Sequence, residues 1–368
     1  MTATDQVPWS PPAPPVRRRR WVRWLVALVA VGAVVVVVVV VALALWLRRL
    51  ETPATVPDDW TPPTVLPASA VTVPATTIVF DSDATGTFEL YALDADGDVR
   101  QLTDDPGTDA WWPRVSPDRR TILFYRTPAG THDLDFTATA LWATDAEGTD
   151  EVLLRPAGLD GWVQQGHAEW SPDGGSLVMF GGKRTNPQIH VTDALGQSPR
   201  QVTDDGGTNI DPSFHPDGRT LVYVGCPSSI CSFGDYEIYA VPVDGGARVR
   251  LTRDSLRDHD PYVSPDGSTL AWLTQVEGGV TDPVGVWDIR VADVVGPEVS
   301  GLTDVRRLIG DDEVTSRPEW TKDGSRLLFH RLEEGTTDGF ELWSSTPDGA
   351  DLRRLAPELP GSEEYPST

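Results

Sequence analysis

One recurring slot in this sequence carries side chains of mixed chemistry. Trp112, His167, Asp211, Asp260 and Arg317 each stand directly before the Pro or Ala that opens a short predicted strand, and Tyr365 before Pro366 repeats the pattern near the C-terminus. An aromatic ring, an imidazole, two acids and a guanidinium converging on one axis would form a binding site, because pockets combine apolar surface with a few aimed polar groups. His167 with Asp211 and Asp260 would also offer a nitrogen and two carboxylates to a divalent ion. The competing reading is local: an acid at the start of a strand bonds back to neighbouring backbone. A ring aimed at a partner should tolerate truncation, so Asp211→Ala with Asp260→Ala is expected to leave the fold nearly unchanged and to abolish capture.

A repeated turn sets the register of these positions. It reads Ser116-Pro117-Asp118, Ser171-Pro172-Asp173-Gly174, His215-Pro216-Asp217-Gly218, Ser264-Pro265-Asp266-Gly267 and Thr321-Lys322-Asp323-Gly324. The spacing, roughly 45 to 57 residues, is that of propellers and other repeat architectures. Pro pre-sets φ, Asp bonds local backbone, and Gly accepts positive φ. An apolar strand follows each turn, such as Thr121 to Phe124 or Leu221 to Val224. A second follows a loop, such as Glu237 to Ala240, and a third closes on Leu102-Thr103 or its equivalents. With the short strand before the turn, each repeat has four antiparallel strands, the blade of a β-propeller.

From about Thr76 to the C-terminus the chain resembles the TolB-type, WD40-like propeller repeat, whose signature is Pro-x-Trp-Ser-Pro-Asp-Gly before an apolar strand. It departs at Arg119 in place of Gly, Lys322 in place of Pro, and Ala168 in place of Pro. Residues Thr76 to Thr103 supply three strands of a blade without its first, and five complete repeats follow. Leu355 to Pro366 matches the offset from Leu102 to Pro113, so the tail from Glu363 is expected to supply the missing strand and close a six-bladed ring. Closure by Val71 to Val73 is the alternative. The expected fold is therefore all-β, a six-bladed propeller over residues 76–368.

The preceding sequence reads differently. Residues 1–20 form a Pro- and Arg-rich tail. Residues 21–47 are expected to be a single transmembrane helix: Trp24 to Leu47 carries no charge, and about 24 residues at ~1.5 Å each span roughly 36 Å. Arg17 to Arg20 and Arg23 precede the span, which places the N-terminus in the cytoplasm and the propeller outside the plasma membrane. A cleaved signal peptide ending near Ala42-Leu43-Ala44 is the competing reading. Residues 48–75, rich in Pro and Thr, are expected to be a semi-rigid extracytoplasmic stalk. Cys226 and Cys231 are the two cysteines, expected to form a local disulfide in an oxidising compartment.

The net charge is −25, and residues 1–50 hold seven Arg against Asp5, so the remainder is more acidic still. That argues against nucleic-acid binding. No Gly-x-Ser-x-Gly elbow, His-Glu-x-x-His or phosphate loop occurs. Prolyl-oligopeptidase-like enzymes have similar propellers but pair them with a hydrolase domain that is not expected here. Asp94-Ala95-Asp96-Gly97-Asp98 reads as a turn rather than a calcium loop. No metal or other cofactor is assigned. The resemblance to TolB implies a binding or scaffold module that meets an envelope protein or polymer at the channel mouth, and the apolar run 21–47 is expected to anchor it in the membrane. The alternative is a metal-assisted lyase or hydrolase acting on a glycan at the axis, since some lyases use related propellers.

Overall fold

The computed structural model describes residues 35–43, 50–228, 231, 233–279, 282–310, 314–332, 339–356 and 359–368. The chain divides into two units, Met1–Thr52 and Pro53–Thr368. In the first, residues 35–43 are helical. Among the described residues no helix is long and apolar enough to cross a membrane, and most of the expected span 21–47 lies outside them.

The second unit is a six-bladed β-propeller. Blade 1 runs Glu363–Ser367, Ile78–Ser82, Glu89–Leu93, Val99–Gln101 from the inside outwards. Blade 2 begins at Thr108–Val115, blade 3 at Gln164–Trp170, blade 4 at Thr208–Phe214, blade 5 at Arg257–Val263 and blade 6 at Val314–Trp320, each followed outward by three more strands. The tail closes the ring: Val79 pairs with Ser367, Asp81 with Glu364 and Ser82 with Glu363, antiparallel. This removes the open edge that blade 1 would otherwise present. Blades 5 and 6 are further joined by one parallel pairing, Trp287 with Val314.

The core consists of apolar layers between neighbouring blades. Val79, Leu90, Ala110 and Phe124 fill the space between blades 1 and 2, and Trp111, Leu123, Trp170 and Met179 that between blades 2 and 3. The signature Trp has a polar task as well. Trp170 Nε1 donates to the Arg114 carbonyl (3.1 Å) and Trp320 Nε1 to the Tyr262 carbonyl (3.1 Å), each fastening its blade to the one before.

The departure at Arg119 has a structural compensation. Its φ is 61°, where Gly174, Gly218, Gly267 and Gly324 take the same positive-φ position in the other turns. A side chain there costs about 1 kcal/mol. Arg119 Nε donates to the Val73 carbonyl (2.6 Å) and Nη2 to that of Pro74 (2.5 Å).

The segment expected to be a free stalk is, over residues 53–75, laid along the propeller. Trp60 Nε1 donates to the Leu153 carbonyl (3.3 Å), Thr121 Oγ1 to that of Pro67 (2.7 Å), and the Val73 amide to that of Arg119 (2.8 Å). Leu66 packs on the layer between blades 2 and 3, and Val73 is buried between blades 1 and 2. Composition suggested a spacer; these apolar residues and the donors of blade 2 make the segment a strap.

Candidate functional site

Every blade's innermost strand carries the same bulge. Trp111 pairs with Tyr125 and Arg114 with Leu123, leaving Trp112 and Pro113 opposite a single residue. The register shifts identically at His167, Asp211, Asp260, Arg317 and, on the closing strand, Tyr365. At all six the first bulged residue has positive φ, from 47° at Tyr365 to 60° at Trp112. The Pro that follows in five blades lacks the N–H that the interrupted ladder could not use. Six strained residues, one per blade, thus meet around the axis.

Their side chains engage one another. His167 Nδ1 donates to Asp211 Oδ1 (2.5 Å), and His259 Nδ1 donates to Asp211 Oδ2 (2.7 Å). Arg257 Nε donates to His259 Nε2 (2.9 Å), which fixes that imidazole as neutral. His167 stacks on Trp112 with ring centroids 3.9 Å apart, and the Arg317 guanidinium lies 3.3 Å from the Trp112 centroid. Tyr365 packs on Trp112 and donates to Asp133. Asp260 accepts no hydrogen bond from any described residue, yet its carboxylate reaches the same place. One ligand atom each from His167, Asp211 and Asp260 lies within 4.8 Å of the others. These residues fit a divalent ion by donor type, with Asp133 Oδ1 a further 3.8 Å from His167 Nε2.

The electrostatics follow from enclosure. Burial works against the His167 cation, but the Asp211 charge and its contacts with Asp133 and Asp211 prevail, holding its pKa at about 10. Burial likewise opposes the Asp211 anion, and the two imidazoles overcome it, so Asp211 stays below the usual carboxylate range. Asp260 has burial and the Asp211 charge acting together, and its pKa rises well above the ordinary value.

The structure brings together Trp112, His167, Asp211, Asp260 and Arg317, but inside the channel rather than on an open rim: Arg317 is fully buried and Trp112 is 2 % exposed. The opening on the Pro-Asp turn side is formed two residues further along each strand. There a cavity of about 380 Å³ is lined by Arg114, Glu169, Ser213, Tyr262, Glu319 and Ser367, with Trp170, Phe214 and Trp320 among its apolar walls. Glu169 Oε1 accepts from Arg114 Nε (2.5 Å), Tyr262 Oη (2.8 Å) and Arg317 Nη2 (3.0 Å). Sequence reasoning missed this tier, although moving two residues along the same repeat alignment finds all six. It also missed the roles of His132 and Asp133, which lie on the blade 2 loop between Thr121–Pro128 and Ala140–Asp145.

The other candidate residues lie elsewhere. Asp94 Oδ1 accepts the amides of Asp96 (2.9 Å) and Asp98 (3.0 Å), as a turn does. Cys226 and Cys231 are joined as a disulfide.

Comparison with known proteins points the same way. Residues 163–304 match the family model of the TolB beta propeller domain. An uncharacterized protein of Agrobacterium fabrum is 29% identical over 164 residues, covering 44% of this chain and 53% of its own. A protein TolB homolog of Chlorobium chlorochromatii is 28% identical over 148 residues, 40% of this chain and 30% of the relative. The crystal structure of TolB from Acinetobacter baumannii superposes with a TM-score of 0.59 at 20% identity, covering 79% of this chain and 66% of that one, a likeness of fold. The chain therefore spans about half or less of the length of these two curated relatives.

Proposed function

We propose that this TolB-like propeller is a membrane-anchored binding module, held outside the plasma membrane by residues 21–47, that receives an envelope protein or polymer at the Pro-Asp turn end of its channel. The observation that carries this reading is the convergence of all six blades on one cavity, with a polar floor and aromatic walls above a rigid ring of side chains. Five of the ring positions are Trp112, His167, Asp211, Asp260 and Arg317, which support the cavity from beneath. Affinity purification of the full chain from detergent-solubilised membranes tests the reading. One envelope component should co-purify in stoichiometric amount and be lost on replacing Trp320 with Ala. A preparation that retains nothing, or retains the same component after that change, would sink it.

A second reading is favoured by one observation, the closeness of His167, Asp211 and Asp260. A divalent ion there would make the axis a Lewis-acid centre for glycan cleavage or hydrolysis. Elemental analysis of the purified protein separates the two: near-stoichiometric metal, lost in His167→Ala, supports the enzyme, and its absence supports the binding module.

A further inference from the structure

The cavity floor is built to receive an anion, although the chain as a whole carries −25. Arg114 comes from blade 2, Ser367 from blade 1 and Glu319 from blade 6, three neighbouring blades. The Arg114 side chain is 3 % exposed, and its Nε is committed to Glu169. Its Nη2 is enclosed and meets no acceptor among the described residues. Ser367 Oγ accepts the Val115 amide (3.1 Å), which leaves its hydroxyl hydrogen to donate. Glu319 Oε2 is likewise enclosed without a partner. The other acid of this tier, Glu169, is already met by Arg114, Arg317 and Tyr262. A buried donor without an acceptor is destabilising, so such atoms mark where a ligand oxygen belongs.

The geometry points to a carboxylate as the group this cavity takes, bound by Arg114 Nη2 and the Ser367 hydroxyl beside the unpartnered Glu319 Oε2. The apolar walls would hold the body that carries it. At about 380 Å³ the cavity admits more than the carboxylate, and Trp170, Phe214 and Trp320 suit a bulky apolar neighbour. We therefore commit to a peptide of the partner, contributing either a free chain end or an acidic side chain in an extended segment. This rests on the binding reading above and names the chemistry of its partner.

The protonation of Glu319 supplies a signature. Burial raises its pKa to about 8, against the Arg114 charge, with Glu169 adding to the rise. The other charged or titratable groups around the cavity are Glu169, Arg317, Tyr262, Lys322 at the rim, and the carboxylate of Thr368, the last residue of the chain, an acid that competes with any ligand anion. An acid kept neutral donates to a ligand anion; ionised, it repels one.

The experiment uses the purified full chain in detergent and two probe pairs, read by tryptophan fluorescence and calorimetry. The pairs are N-acetyl-Phe-Leu acid against its carboxamide, and N-acetyl-Phe-Asp-amide against N-acetyl-Phe-Asn-amide. The acid of at least one pair should bind at least tenfold more tightly than its neutral counterpart at pH 6.5, and the pair that does so identifies the source. Affinity of the wild type for that acid should fall at least tenfold between pH 7 and 9.5. Glu319→Gln, which keeps a donor and cannot ionise, should bind with little change over that range. Arg114→Lys should weaken the acid selectively if it folds, and Glu319→Gln decides the matter if it does not. Equal binding of acid and neutral probes, no binding at millimolar concentration, or the same pH dependence in Glu319→Gln would overturn the inference. Membrane purification that yields no partner while the probes bind as stated would count against the binding reading alone.

Discussion

At the scale of single residues, the two acids of the ring differ. Asp211 holds two imidazoles, and its loss would leave the buried His167 cation with only Asp133, 3.8 Å away, as a counter-charge. Breaking such a pair from one side costs about 3–5 kcal/mol. Asp211→Ala should therefore lower stability by that order in chemical denaturation. Asp260 has no donor and stands near Asp211, so Asp260→Asn should cost less than about 0.5 kcal/mol or be stabilising. The expectation that the paired alanine variant leaves the fold nearly unchanged is thereby revised, because the sequence does not reveal that His259, one residue before the slot, reaches Asp211. A second prediction concerns His132, which donates to Asp81 Oδ2 at 2.8 Å. Burial opposes its charge, but the bond and the Asp81 charge hold its pKa at about 9. A raised histidine contributes stability that is complete below its unfolded value near 6.5 and is lost as pH rises through 9. Burial raises Asp81 to about 6 despite His132, so its contribution also fades with rising pH, at lower values. The stability difference between wild type and Asp81→Asn should therefore shrink from pH 6.5 to pH 9.5, and the His132 resonances should titrate lower in the variant.

At the scale of elements, the blades were legible because their turns are spelled in Pro, Asp and Gly, and the closing strand because its offset repeats. Deleting residues 363–368 should lower the thermal midpoint by several degrees, since it unpairs Ile78–Ser82 along one edge. The second tier was harder to see. The repeat alignment places one residue of each blade two positions beyond the slot, but a bulge breaks the strict alternation of a strand, so alternation alone does not say that those six face the cavity. The strap was hidden for another reason: composition reports what a segment can do alone, not which carbonyls a neighbouring blade will engage. Arg119→Gly should relieve the strained turn while releasing Val73 and Pro74. The expected result is a thermal midpoint within a few degrees of wild type, with faster proteolytic cutting between residues 53 and 75.

At the scale of the whole molecule, the repeats spell a six-bladed ring but not a ligand. Six blades fix where side chains converge; what those side chains could hold follows from their identities, which vary from blade to blade. The proposed anchor is a separate matter of charge and length. Protease added to intact cells should degrade the propeller and spare an epitope placed in residues 1–20; the reverse pattern would overturn the proposed orientation.

The closing strand has a consequence for how the chain reaches its native state. Val79 and Ser367 pair across almost the entire propeller sequence, so blade 1 cannot be finished until blade 6 has been synthesised. Contacts between residues so distant in the chain are the slow ones, because loop-closure entropy opposes them. Until then the strand Ile78–Ser82 waits with an unpaired flank, a state prone to the wrong partner. A circular permutant that carries residues 363–368 just ahead of Ile78 would make that pairing local. It should refold faster than the natural order at similar final stability, which stopped-flow fluorescence would measure.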